Sequence, residues 1–285
     1  MKSSTVDVLI VGAGPAGLAA AIELKKNGVK NVRVVEREKI AGGVPRHSYH
    51  LGYGIRDLGR FISGPAYAKH YVDQALKTGV EISTSTTATD WVDLNTLSLT
   101  SPFGIEQVKA KAILLATGAR ERARAARAVA GKRAAGIYTT GSLQQATYLE
   151  RLYIGKTAII VGTEHVSLSA VITLKHAGVK TVAMITEKRK HQTVFGAPTL
   201  LRLIFGFKLH LDTKIVEIQA DQRVNGAKVR SGNKEWVIKA DTIVFTGDWI
   251  PDHELIRRAN LPIDSSYKSP ITDSDGRIPN TQIYS

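Results

Sequence analysis

Residues 6–36 read VDVLIVGAGPAGLAAAIELKKNGVKNVRVVE, and this stretch decides the fold. VDVLIV is an apolar run rich in branched side chains, suited to a strand buried on both faces. GAGPAG follows as a glycine-rich turn. LAAAIELKKNG then sets Leu18, Ala21, Ile22 and Leu24 at helical spacing and stops at Gly28, where helices often need a left-handed residue. VRVVE is a second strand, ending in an acid. Strand, turn, helix and strand over about thirty residues make a strand–helix–strand unit.

The unit occurs twice. Residues 157–187, TAIIVGTEHVSLSAVITLKHAGVKTVAMITE, repeat it at an offset of 150, with Val161, Gly162, Ile172, Leu174 and Gly178 standing where Val11, Gly12, Ile22, Leu24 and Gly28 stand. KAKAILLATG and IKADTIVFTG echo each other as apolar strands ending in Thr-Gly. The expected fold is α/β, with two doubly wound, Rossmann-like dinucleotide-binding domains. The second is inserted in the first and carries an antiparallel meander drawn from KIVEIQ, AKVRS and KEWVIKADTIVFTG. The expected boundaries are 1–125 for the first part of the first domain, 126–252 for the inserted domain and 253–285 for the return segment. Residues 67–79 read as a helix, and TLLRLIFGFKLHL places Leu200, Leu203, Ile204 and Phe207 on one face of a core-facing helix.

In the first unit Gly12-x-Gly14-x-x-Gly17 follows a strand and opens a helix. Gly12 allows the tight turn, Gly14 lets backbone approach a pyrophosphate, and Gly17 lets helix and strand pack closely. The helix amino terminus offers free N–H groups to the phosphates. Glu36, 24 residues after Gly12, ends the second strand where a carboxylate can accept from a ribose diol. Gly42-Gly43, just beyond, favours an extended flavin dinucleotide, FAD, over NAD, although such a pair also serves as a flexible loop. The strand ending in Thr117-Gly118 returns to the same crevice.

The second turn is different. In VGTEHVS, Glu164 stands at the middle glycine position and Ser167 at the last. Two unit charges ~4 Å apart repel by roughly 4 kcal/mol at an effective dielectric near 20, so this unit is expected to keep the fold and to have lost ordinary NAD(P) binding. Thr186 fills the slot of Glu36, and Lys188, Arg189 and Lys190 read as a solvated charge run.

Composition narrows the function classes. The 285 residues include no cysteine, which removes disulfides, thiolate metal ligands and dithiol redox chemistry within them. The net charge of +14 is densest in RERARAARAVAGKR, residues 120–133, which reads as a solvated connector rather than a nucleic-acid surface. The early apolar run is broken by Gly12, Gly14, Pro15 and Gly17 and carries no export signal, and no run approaches the ~18 apolar residues of a membrane span. A cytoplasmic location is expected. The eight histidines show no metal-ligand spacing.

With these residues in hand, the sequence resembles the pyridine nucleotide–disulfide oxidoreductase superfamily. GGVPRHSYHLGYGIRDLGRFISGPAYA, ATGARERARAAR, VGTEHVSLSAVITLKHAG and FTGDWIPDHEL are similar to its amino-acid- and opine-oxidising branch. The resemblance spans nearly the whole chain. It implies FAD contacts at Gly12, Gly14, Pro15, Ala16, Gly17 and Glu36, and further ones at Arg37, Gly43, Val44, Ala88, Thr117 and Gly118. It implies an FAD-dependent dehydrogenase that oxidises a C–N bond in a small amine or amino acid, working beside a partner subunit. It also implies an Ala-Gly-Asp or Ala-Gly-Asn turn after RIPNTQIYS, so a fragment is expected. His47, Tyr49 and His50 are candidates for the flavin face, and Arg46 and Arg56 for a substrate carboxylate, unless Arg56 pairs with Asp57. No catalytic base is assigned. Two alternatives stand beside this reading: an NAD(P)H-dependent flavin reductase, and a non-catalytic nucleotide-binding scaffold subunit.

Overall fold

The computed structural model describes residues 2–193 and 202–285. The chain forms two compact units, one built from Met1–Arg120 and Ile250–Ser285, the other from Glu121–Trp249. In the first, strand β1 (Lys2–Val11) leads through the glycine turn into helix α1 (Pro15–Lys26) and strand β2 (Val32–Val35). A short hairpin, β3 (Leu51–Tyr53) and β4 (Ile62–Ser63), precedes helix α2 (Gly64–Lys77) and β5 (Glu81–Ser83). Strands β6 (Thr87–Asp93), β7 (Thr96–Ser101) and β8 (Gly104–Leu115) then form an antiparallel meander.

The sheet runs β5-β2-β1-β8-β7-β6, parallel from β5 to β8. Side chains alternate across the strands as the pleat requires. Leu9, Val11 and Val35 enter one core cluster, and Ile10, Val32 and Val34 enter the other, beneath α1. Across one edge of this sheet Arg33 on β2 pairs with Glu106 on β8, while Ser4 on the intervening β1 donates to the same carboxylate at 2.7 Å.

Strand β9 (Ala119–Glu121) leads into the second unit. The arginine-rich stretch forms one 3-10 turn, Arg124–Arg127, and strand β10 (Ala130–Gly131). It is more than a solvated connector. Arg127 donates to the carbonyls of Arg122, Thr246 and Gly247 and lies over the Phe245 ring. Strand β11 (Ile137–Thr139) and helix α3 (Thr140–Gln144) follow, then β12 (Thr157–Val161), α4 (His165–His176) and β13 (Lys180–Ile185). The rest comprises β14 (Lys208–His210), β15 (Lys214–Ala220), β16 (Val224–Ser231), β17 (Lys234–Ile238) and β18 (Thr242–Phe245).

Five strands form a parallel sheet in the order β11-β18-β12-β13-β14, and four form a second sheet, β10-β15-β16-β17. The meander is therefore β15–β17 alone. TIVF joins the parallel sheet between β11 and β12 because all four of its residues are buried, which suits a central parallel strand rather than a half-solvated one. The expected core-facing helix also needs correction. Leu203 and Ile204 are 73% and 59% exposed, whereas Phe207 is buried just ahead of β14; Leu200 lies outside the described residues.

Strand β19 (Trp249–Pro251) leads back to the first unit, where a short helix, Glu254–Arg258, packs Leu255 and Ile256 into its core. Strand β20 (Ile283–Tyr284) pairs in parallel with β8 at Ile113 and Leu114, and Ile278 and Ile283 are fully buried. Among the described residues no helix is long and apolar enough to cross a membrane.

Candidate functional site

Several loops of the first unit meet at the carboxyl ends of β1, β2 and β8, the place where open α/β sheets bind ligands. Gly12 donates its N–H to the Val35 carbonyl at 2.8 Å and takes φ +109°. A β-carbon there would collide with the Ala116 carbonyl, and one at Gly17 with the Gly12 carbonyl. These two glycines let the turn and helix close onto the sheet. Gly14 is different: its φ of −76° suits any residue, and a β-carbon would meet nothing within 4 Å. The glycine there leaves open space over the helix amino terminus. Pro15 carries no N–H, and the first-turn amides of Ala16 and Gly17 have no partner within the helix.

Glu36 is 7% exposed and makes the second half of the cradle. One carboxylate oxygen accepts the Ala13 N–H at 3.0 Å and the other accepts the Glu38 N–H at 2.9 Å. The acid thus ties the end of β2 to the turn after β1, with lone pairs left for a diol. Its carbonyl accepts from the Thr86 amide at 2.8 Å, and that of Glu38 accepts from Ser85. Sequence reasoning missed this segment. Ala88 instead lies on β6 opposite Leu99 and packs on the apolar cluster beneath. No local signal marks Ser85 and Thr86, which reach Glu38 and Glu36 across some fifty residues of chain, although a φ of +49° at Ser85 records the sharp bend.

Gly42 donates to the Ala13 carbonyl at 2.8 Å, and Gly43 follows with φ +62°. A β-carbon on Gly43 would sit 2.8 Å from the Gly14 Cα, so this loop lies directly on the phosphate turn. The next residues, Val44–His47, form a 3-10 turn with Val44 exposed and Pro45 and His47 buried. That turn rests on the first residue of α2, since a side chain at Gly64 would strike the Pro45 and Ser48 carbonyls. The Arg46 guanidinium reaches Glu38 only at 3.8 Å, and its Nε is buried without a hydrogen-bond partner.

Thr117 donates its hydroxyl to the Asp252 carbonyl at 2.7 Å, and the Asp252 amide donates to Gly118, which takes φ +74°. Arg37 is exposed and lies 3.5 Å from the Asp252 carboxylate. Tyr49 is 46% exposed, and His50 contacts the Leu51 carbonyl through Nδ1 at 2.8 Å. Asp57 is bound by the hydroxyls of Tyr67 and Tyr71, both at 2.6 Å, rather than by Arg56. Those two bonds hold its carboxyl below the usual range. Burial, reinforced by Asp57, pushes the Tyr67 hydroxyl up. Among the described residues no group of three acidic, histidine or cysteine side chains could hold a metal.

Open space at Gly14, a tethered acid and a second glycine loop on the first turn are features that fit FAD.

The comparisons with known proteins agree. An opine oxidase subunit of Agrobacterium tumefaciens (strain Ach5) is 23% identical over 312 residues, covering 99% of this chain and 61% of that protein. The alpha subunit of sarcosine oxidase from Rhizobium meliloti (strain 1021) is 25% identical over 282 residues, covering 92% of this chain and 26% of that protein. The chain thus spans about three fifths and one quarter of these relatives. Among solved structures, thioredoxin reductase of T. acidophilum superposes with a TM-score of 0.81 at 21% identity, covering 98% of this chain and 88% of that one. The profile of the pyridine nucleotide-disulphide oxidoreductases matches residues 6–285. The chain therefore belongs to the pyridine nucleotide-disulphide oxidoreductase family, a family of FAD-binding flavoproteins, and FAD is its cofactor.

Proposed function

We propose that this chain is the FAD-holding part of a dehydrogenase that oxidises a small amine or amino acid at a C–N bond. The observation that carries the reading is an open, glycine-lined cradle beside Glu36 among 285 residues that include no cysteine. Gly14 leaves the diphosphate position clear and Glu36 braces the turn, yet no dithiol is present to exchange electrons with a disulfide. Alignment over nearly the whole chain with the opine oxidase protein supports an amine as the reductant.

Bound FAD would supply a two-electron acceptor for hydride from the carbon next to the substrate nitrogen. The chain's own residues bind and orient it. With FAD bound, the Ala16 and Gly17 amides would be donors for the diphosphate, Glu36 would be an acceptor for the ribose, and Gly43 and Gly118 would let backbone approach. Arg46, with a buried unpartnered Nε and a 3.8 Å contact to Glu38, is the cation proposed to receive a substrate carboxylate. A second polypeptide is proposed as partner, in line with the names of both aligned relatives, each of which is one subunit of an oxidase. Exposed Leu51, Ile55 and Phe61 around the β3–β4 hairpin offer it apolar surface.

The test is an anaerobic absorbance spectrum of the complete polypeptide, loaded with FAD, before and after amino acids, N-alkylated amino acids and opine-type secondary amines. Loss of the oxidised-flavin bands with one of these, together with release of the matching oxo acid or aldehyde, is the expected result. A flavin that none of them bleaches, in protein shown to be loaded, refutes it.

A further inference from the structure

The second phosphate turn keeps the backbone of the first almost unchanged. Gly162 donates to the Ile185 carbonyl at 2.8 Å, just as Gly12 donates to Val35. Glu164 takes φ −79° and ψ 173°, against −76° and 174° at Gly14. Strand, turn and helix thus present the same cradle, and what differs is its content.

The Glu164 side chain folds back into it. Its Oε2 lies 3.0 Å from the hydroxyls of both Ser167 and Thr246, which can each donate to it, and those two hydroxyls lie 2.7 Å apart. Ser167 and Thr246 are fully buried. The carboxyl group fills space that glycines leave on two sides. A β-carbon on Gly162 would lie 2.5 Å from Glu164 Oε2, and one on Gly247 would lie 2.8 Å from its Cδ. In the first unit, by contrast, a β-carbon on Gly118, the counterpart of Gly247, would meet nothing within 4 Å. The rest of the set fits a dinucleotide no better. Thr186 stands where the ribose acid would be, and its hydroxyl accepts from the Lys188 amide at 3.2 Å.

We infer that Glu164 is an internal anionic ligand of the second unit: its carboxylate occupies the diphosphate position and excludes nicotinamide dinucleotides by occupation rather than by repulsion. Charge alone is not the barrier, because the carboxylate is anchored by two hydroxyl donors and wedged between two glycines. A neutral side chain of the same shape would remain there. Ser167 at the third glycine position is a donor to this ligand and not merely a lost glycine. The inference concerns the second unit and stands whichever substrate reduces the flavin.

The experiment measures NADH and NADPH binding to the FAD-loaded complete polypeptide by calorimetry, with circular dichroism to confirm folding. Glu164→Gln removes the charge and keeps the shape; Glu164→Gly with Ser167→Gly clears the cradle. The expected result is no gain for Glu164→Gln and a gain of at least about tenfold in affinity for the double variant. If the double variant does not fold, Glu164→Ala is read in its place, with a gain in the same direction over Glu164→Gln. A gain with Glu164→Gln equal to that of the cleared variants overturns the inference, since repulsion would then suffice. So does tight coenzyme binding by the parent protein that the double variant leaves unchanged, and so does a folded, cleared variant with no gain. Amine-dependent bleaching is read separately, so failure of one proposal does not disguise failure of the other.

Discussion

Replacing Gly14 by alanine should separate binding from folding. The backbone there has φ −76° and ψ 174°, which any residue adopts, and the new methyl meets no heavy atom within 4 Å. The unliganded chain therefore loses nothing, and the stiffer unfolded chain adds about 0.4–1 kcal/mol of stability. Binding responds in the opposite sense. On the proposed placement of FAD the methyl would stand in the path of the diphosphate, and an anion pushed back by about 1 Å would leave hydrogen-bonding range of the Ala16 and Gly17 amides. Hydrogen bonds to a charged group contribute ~1.5–3 kcal/mol each, so losing two costs about 3–6 kcal/mol. That corresponds to roughly two to four orders of magnitude in FAD affinity. Flavin-fluorescence titration of the apoprotein and thermal unfolding of the same samples give the two numbers. Gly12→Ala and Gly17→Ala serve as contrasts, since both drive a methyl into backbone carbonyls and should lower stability outright. FAD affinity for Gly14→Ala within about threefold of the parent, or a loss of apoprotein stability like that of Gly12→Ala, would refute the reasoning.

Three further outcomes are expected. Glu36→Gln, which replaces an acceptor of two backbone amides, should destabilise the apoprotein by about 1–3 kcal/mol and weaken FAD as well, measured by urea unfolding and flavin titration. Arg127→Ala strips three carbonyls of their donor and should cost about 1–3 kcal/mol in thermal or urea unfolding. Glu106 is held below the ordinary carboxylate value chiefly by its bonds from Arg33, with Ser4 adding to them. Because its folded pKa lies below its unfolded one, this stabilisation is fully present above an ordinary pKa of about 4.3 and drains away as pH falls toward the folded value. Glu106→Gln should therefore flatten the acid limb of a urea-midpoint profile, and an unchanged limb would contradict the pairing.

The doubly wound character was legible in the sequence because it rests on local features. Branched apolar runs, a glycine turn and a helix stop each occupy a few adjacent residues, and their recurrence at an offset of 150 exposes the second unit. The residues that grip one another across the chain were not legible. Thr86 meets Glu36 from fifty residues away, and nothing in the sequence marks it. TIVF reads as the continuation of a meander until its burial on both faces places it in the parallel sheet. Leu203 and Ile204 have a helical spacing that says nothing of whether anything covers them. Glu164 was recognisable as the wrong residue for a phosphate, but its sign alone suggests repulsion. Its bonds to Ser167 and Thr246, the latter 82 positions on, recast it as a group held in place.

The pairing of β20 with β8 has a consequence for how the polypeptide matures on the ribosome. The unit from Glu121 to Trp249 is contiguous, and all the strands described in its two sheets have been synthesised before residue 250 is added. The flavin-binding unit is split, and its core still wants Leu255, Ile278 and Ile283 at that moment. Domains tend to fold as they emerge, so the inserted unit acquires its shape first, while the earlier-made β1–β8 sheet waits, partly uncovered, for its closing strand. A nascent chain exposed outside the ribosome only as far as residue 260 would carry a protease-resistant insert beside a protease-sensitive amino-terminal half.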